Sequence, residues 1–154
     1  RFLCRLRPVR NPLVSVMTLS ENEAPDLRGV NFEAGYIAAI DKPLGWTSTD
    51  VVRKIKFALH RLGYRRIKVG HAGTLDPLAT GVLLVCIGKA TKMVDALQAE
   101  EKEYVADLML GATTPRHDLA HPIDKTYPTG HITREGVLEA LDRLTGARMQ
   151  APPL

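Results

Sequence analysis

The chain has 154 residues, enough for one domain with a sizeable core, and its 45% hydrophobic and 25% charged content is ordinary for a globular protein. No apolar run nears the roughly 18 residues of a transmembrane helix, so a membrane span is not expected. The net charge of +4 is no global sign of nucleic-acid binding: residues 1–16 hold Arg1, Arg5, Arg7 and Arg10 and no acid, and taking these four from 21 leaves 17 basic residues against 17 acids.

The first methionine is Met17. Residues 1–16 imitate a transit peptide, but Pro8 and Pro12 spoil an amphipathic helix, so they are read as sequence upstream of the true start with no part in the fold. Residues 17–34 are polar, carry no periodic apolar pattern and read as an extended or loose stretch, and residues 1–30 are taken as a lead-in outside the domain. Regular structure is expected from Tyr36, with a short apolar strand to Ile40 that Asp41-Lys42-Pro43-Leu44-Gly45 ends as a turn. Thr47, Ser48, Thr49 and Asp50 can each cap a helix. Val51, Ile55, Leu59 and Leu62 follow at helical spacing, and Gly63 closes that element.

Between Val51 and Gly70 lie seven basic residues and no acid: Arg53, Lys54, Lys56, Arg61, Arg65, Arg66 and Lys68. Such a cluster can contact phosphates, with Lys54, Arg61, Arg65 and Arg66 among the candidates, or it can be a solvated helix face. Ile67 to Gly70 reads as a short strand, and His71 to Gly81 as a loop. Val82 to Ile87 is a strand buried on both faces, with Cys86 a small core hydrophobe. Cys4 and Cys86 have no metal-ligand spacing and demand no oxidising compartment, which makes the cytoplasm the default location.

Thr91 to Ala99 has the pattern of a helix with Met93, Ala96 and Leu97 inward. Lys102 to Leu110 alternates as a half-exposed strand, and a Pro- and His-rich connection runs from Gly111 to Gly130. Thr133 then caps a helix through Leu144, stopped by Gly146. Strands dispersed among helices without strict alternation give an α+β fold with a mixed, largely antiparallel sheet.

The chemistry is sought in His71-Ala72-Gly73-Thr74-Leu75-Asp76-Pro77-Leu78-Ala79-Thr80-Gly81. Asp76 precedes Pro77, which disfavours helical geometry at the aspartate. A glycine-framed loop between two strands can hold one carboxylate out to a ligand from a rigid base. Asp-Pro in such a loop is also an ordinary turn. The eleven residues resemble the active-site motif of the TruB family of tRNA pseudouridine synthases, the tRNA pseudouridine-55 synthases. Asp41-Lys42-Pro43-Leu44-Gly45-Trp46-Thr47-Ser48 is similar to that family's first motif, and Lys102-Glu103-Tyr104 resembles its later tyrosine segment. Gln150-Ala151-Pro152-Pro153 looks like the approach to its next block. The likeness covers roughly residues 31–154, as the N-terminal part of the catalytic domain.

This resemblance implies isomerisation of a uridine to pseudouridine in the T-loop of tRNA, without cofactor or metal. On it, Asp76 is the catalytic carboxylate, acting as nucleophile or as base on the sugar. The uridine must leave its stack, so the site receives a flipped nucleotide. Tyr104 would stack on uracil, His71 would hold the RNA loop, and Lys42 and Pro43 would shape the pocket floor. The implied partner is the tRNA T-arm, bound by a monomer away from any membrane. An arginine that pairs with the aspartate belongs to a later family segment beyond Leu154, so residues 1–154 alone are expected to be inactive and marginally folded.

Other readings are weaker. His117-Asp118-Leu119-Ala120-His121 looks like a zinc-peptidase motif, but Pro115 and Pro122 flank it and Asp replaces the required Glu. Gly81…Gly88-Lys89 has six residues between its glycines where a phosphate-binding loop needs four. A non-catalytic RNA-binding module would keep the basic cluster and Tyr104 but have no use for Asp76.

Overall fold

The structure is a computed structural model that describes residues 29–149 and, as a strand, Phe2–Arg5. The lead-in at 17–28 and the Gln150–Pro153 segment lie outside the described residues. The chain divides into two compact units, residues 1–107 and residues 108–154. Among the described residues, no helix is long and apolar enough to cross a membrane.

The first unit is α+β, built on a five-stranded mixed sheet. Its strands are β1 (Phe2–Arg5), β2 (Tyr36–Lys42), β3 (Val69–His71), β4 (Ala79–Ile87) and β5 (Glu103–Val105). β4 is the spine. It pairs antiparallel with all of β2, from Tyr36 opposite Ile87 to Lys42 opposite Gly81. Its other edge carries antiparallel β3 near its end and parallel β1 near its start. β5 lies beyond β1, antiparallel to it. The pattern of residues 1–16 predicts no element at β1; here it bridges β4 and β5.

β4 is longer than the apolar run 82–87, because pairing with β2 extends it back to Gly81 and pairing with β1 to Ala79. Its residues alternate between two cores, as side chains of a pleated strand must. Ala79, Leu83, Val85 and Ile87 meet Val51 and Leu59 of α1 (Ser48–Arg61), together with Phe32, Ile67 and Leu75. Cys86 faces the opposite core with Ile37, Ala72, Ala90 and Leu97. Burial there pushes the Cys86 thiol above its ordinary range, which suits a packing role rather than a nucleophilic one.

Of the four candidate caps, Thr47 begins α1. Its hydroxyl accepts from Asp50 N–H at 3.1 Å, while the Asp50 carboxylate accepts from Thr47 N–H at 3.0 Å, a reciprocal capping box. The predicted apolar stripe holds at Val51, Ile55 and Leu59; Leu62, the C-cap, is 65% exposed. Before β2, Asn31 caps a 3-10 turn at Phe32–Ala34, so order starts ahead of Tyr36. Phe32 packs edge-on against both Tyr36 and Tyr64, each with centroids 5.5 Å away.

Three other expectations change. The strand expected at Ile67–Gly70 forms at Val69–His71, because Ile67 turns into the α1 core instead of joining the ladder. The single helix expected at Thr91–Ala99 is a 3-10 segment, Gly88–Met93, followed by α2 (Val94–Gln98). Leu97 is buried and Met93 packs beside it, but Ala96 is exposed. The strand expected over 102–110 shortens to β5, all three residues exposed, since a strand extends only as far as a partner does.

In the second unit, the connection expected at 111–130 contains a small antiparallel ladder between β6 (Ala112–Thr113) and β7 (Lys125–Thr126). Thr133 caps α3 (Arg134–Arg143) as predicted, accepting from Gly136 N–H at 3.1 Å. Residues 115–121 are turns, and His117 has φ +57, so the two histidines do not share a helix face. Among the described residues, no cluster of His, Cys, Asp or Glu could hold a metal ion.

The glycine after β4 is indispensable. Gly88 has φ +62, and a Cβ built there would lie 2.1 Å from the Phe32 carbonyl and 2.9 Å from that of Glu33. Gly88→Ala is predicted to destabilise the protein by more than about 2 kcal/mol, from strain plus overlap with backbone that cannot yield. Urea denaturation of both proteins checks this.

Candidate active site

Asp76 lies in the segment between β3 and β4, residues 72–78, and is solvent-exposed. Three interactions brace this loop. Ser48, buried in the first turn of α1, exchanges two hydrogen bonds with Leu75: its hydroxyl accepts from Leu75 N–H at 2.9 Å and donates to Leu75 O at 3.2 Å. Gly45 N–H donates to Pro77 O at 2.8 Å, and Ala79 N–H closes the turn onto Asp76 O at 2.9 Å. Residues on both sides of the aspartate are therefore held by backbone bonds, and a carboxylate on a braced loop is pre-organised.

A further brace is Lys42, the last residue of β2, which is 0% exposed. Its Nζ donates to Trp46 O at 2.6 Å, Pro43 O at 3.0 Å and, at longer range, Pro77 O at 3.5 Å. Pro43 is exposed and contributes through its carbonyl. Lys42 is thus a buried cation stitching the 43–46 turn to the Asp76 loop, not a surface charge. Burial lowers its pKa below the ordinary lysine range, and the negative charge of Asp76 partly opposes that by raising it.

His71 ends β3, opposite Val85. Its Nδ1 lies 2.5 Å from Gly73 O. A carbonyl can only accept, so Nδ1 carries a hydrogen and Nε2 is left for other partners. Tyr104, on β5, is 53% exposed and lines a cavity of about 30 Å³ with Ala72, Gly73, Thr74, Leu75 and Lys102. The Asp76 loop and the tyrosine segment, some thirty residues apart in the chain, thereby adjoin. Lys102 donates to the carbonyls of Gln98 and, at 2.9 Å, Glu100.

The basic cluster divides. An open groove of about 620 Å³ is lined by Lys56, Arg65, Arg66, Lys68 and His71, with Thr91 and Asp95 on its far wall. Arg53, Lys54 and Arg61 are exposed on α1 but do not line it, and Arg53 pairs with Asp50 at 3.3 Å. Sequence reasoning missed Ser48 as an anchor of the loop. Its only signal was a run of four hydroxyl or acidic residues, of which one cap uses Thr47 and Asp50.

Fold and site together define an α+β domain that presents one braced, exposed carboxylate on the loop before β4 and carries a basic groove lined by β3 and the residues before it. Residues 60–154 match the family model described as TruB family pseudouridylate synthase (N terminal domain), and the chain belongs to that family. It is 57% identical over 125 residues to the tRNA pseudouridine synthase B of Bacteroides thetaiotaomicron, a match covering 80% of this chain and 52% of that protein. The protein of the same name from Phocaeicola vulgatus is 58% identical over 126 residues, covering 81% and 54%. That from Chlorobium luteolum is 46% identical over 134 residues, covering 87% and 46%. The chain spans about half the length of the curated relatives it matches.

The Lys42–Asp76 coupling has a measurable sign. Because folding lowers the Lys42 pKa, the unfolded chain binds more protons between that lowered value and the ordinary lysine value of about 10.4. Stability relative to Lys42→Met is therefore predicted to rise with pH through that window. Asp76→Asn removes the opposing charge, lowers the Lys42 pKa further and widens the window. Denaturant midpoints against pH for the wild type, Asp76→Asn and Lys42→Met check both statements.

Proposed function

We propose that this chain carries the catalytic carboxylate of an enzyme that isomerises a uridine of the tRNA T-loop to pseudouridine, at position 55. The observation that supports this best is Asp76 itself: exposed, yet fixed through Leu75, Pro77 and Ala79 on a loop whose sequence resembles the family's active-site motif. In this reading the glycosidic bond from uracil N1 to the ribose breaks, the base turns, and it rejoins the sugar through C5. Uridine and pseudouridine are isomers, so no electron or group has to enter and the reaction needs no cofactor. Asp76 is the group that meets the sugar or the base, as nucleophile or as base.

The remaining residues divide the labour of binding. Tyr104, which lines a cavity with residues 72–75, covers the face of the extruded uracil. His71, at the inner end of the basic groove, offers Nε2 to the opened RNA loop while Nδ1 is committed to Gly73. Arg65, Arg66 and Lys68, joined by Lys56, take the phosphates of the T-arm. Arg53, Lys54 and Arg61 add a weaker, longer-range attraction from the exposed face of α1. The enzyme works as a monomer in the cytoplasm.

Two measurements on the full-length protein test this. Asp76→Asn is predicted to reduce tritium release from uracil C5 of unmodified tRNA by about a thousandfold or more while tRNA affinity stays within a few fold. Unchanged turnover in that variant overturns the catalytic assignment. Replacing Arg65, Arg66 and Lys68 together by Gln is predicted to flatten the dependence of log affinity on log salt by about 2 to 3. An unchanged slope means that the groove does not hold phosphates.

A further inference from the structure

Both loops that meet at Asp76 expose large apolar side chains. Leu44 is 65% exposed, Trp46 38% and Leu78 38%. One such residue alone would need no explanation. Here three sit on two turns that are tied to each other, by Gly45 N–H to Pro77 O and by the Lys42 ammonium shared between Trp46 O and Pro77 O. The result is an apolar rim on a fixed backbone beside an exposed carboxylate, a combination that marks a recognition surface rather than a core.

Extruding a nucleotide leaves its neighbours with unpaired π-faces. Covering such a face takes a flat apolar surface, and an indole is the largest side chain that supplies one. In chain order, Tyr104 shares its cavity with residues 72–75, ahead of Asp76, whereas Trp46 is tied to Pro77, after it. Tyr104 adjoins one side of the loop and the backbone of Trp46 is joined through Lys42 to the other, a placement suited to two different bases. The acid-free run of seven cations from Val51 to Gly70 argues that the occupant is RNA rather than an apolar protein segment.

We infer that Trp46, flanked by Leu44 and Leu78, is a stacking platform for a base of the substrate loop next to the extruded uridine. This rests on the proposed function. It gives Trp46 a positioning role: the ring holds the opened loop while Asp76 acts on its neighbour. Stacking needs a ring and not merely bulk, so phenylalanine can replace Trp46 where leucine cannot.

The test uses the full-length protein with Trp46→Phe, Trp46→Leu and Trp46→Ala. KM for tRNA is expected to rise about tenfold in the Leu and Ala variants and to stay near the wild-type value in Trp46→Phe, with kcat little changed. Trp46 is the only tryptophan in these 154 residues. The emission difference between wild type and Trp46→Phe isolates its signal, which is expected to be quenched by a synthetic RNA stem-loop of T-arm sequence. Wild-type KM in Trp46→Leu overturns the inference, as does loss of kcat and melting temperature together with unchanged KM. Unquenched Trp46 emission, while filter retention shows the stem-loop bound, also overturns it and leaves the proposed function standing. A wild-type protein that retains no stem-loop removes both.

Discussion

An ammonium group withdrawn from water must find oxygen partners, and that requirement organises the site. Lys42 ends β2 with its side chain fully buried, so its Nζ draws the carbonyls of Pro43, Trp46 and Pro77 around itself. Those carbonyls belong to two separate turns. Satisfying one cation therefore fixes the turn after β2 against the loop that carries Asp76, and leaves a positive charge near that carboxylate. A neutral side chain could fill the same space, but it would not gather the carbonyls or interact with the aspartate.

The strand geometry sets where this happens. β4 is packed from both sides, with Val51 and Leu59 of α1 against one face and Ala90 and Leu97 against the other. A spine buried that way cannot shift register without moving apolar side chains out of both cores. The Lys42–Gly81 pair closes the β2–β4 ladder, so the lysine arrives at the same end of the sheet as the start of β4. Ser48 then links the first turn of α1 to Leu75, which is itself part of the α1 core. Helix, sheet and loop are one mechanical unit, and the exposed groups on it inherit that rigidity.

Some of this was readable from local pattern. The cap of α3 forms as predicted, Thr47 is the one used of the four candidate caps of α1, and the predicted stripe holds at Val51, Ile55 and Leu59 but not at Leu62, all of these being set by interactions along one helix. The sheet was less legible. Lys102–Leu110 alternates throughout, yet only Glu103–Val105 pairs, because strand length is decided by the partner. Ile67 was assigned to a strand but enters a core, since its neighbours Phe32 and Leu75 are remote in sequence. The seven cations were visible as a cluster, but a linear count could not separate Lys56, Arg65, Arg66 and Lys68 in the groove from Arg53, Lys54 and Arg61 outside it.

The residue types by themselves determined α1 and α3, the family, and the aspartate before a proline on which the proposed chemistry rests. These depend on neighbouring side chains or on a motif in one stretch of chain. Tertiary structure decided that Lys42 is interior, that Ser48 anchors Leu75, that Tyr104 adjoins the Asp76 loop, and which cations share a groove with His71. Each of those facts joins segments tens of residues apart or turns on the burial of a charge, and both are set only when strands pair and the two faces of β4 are covered.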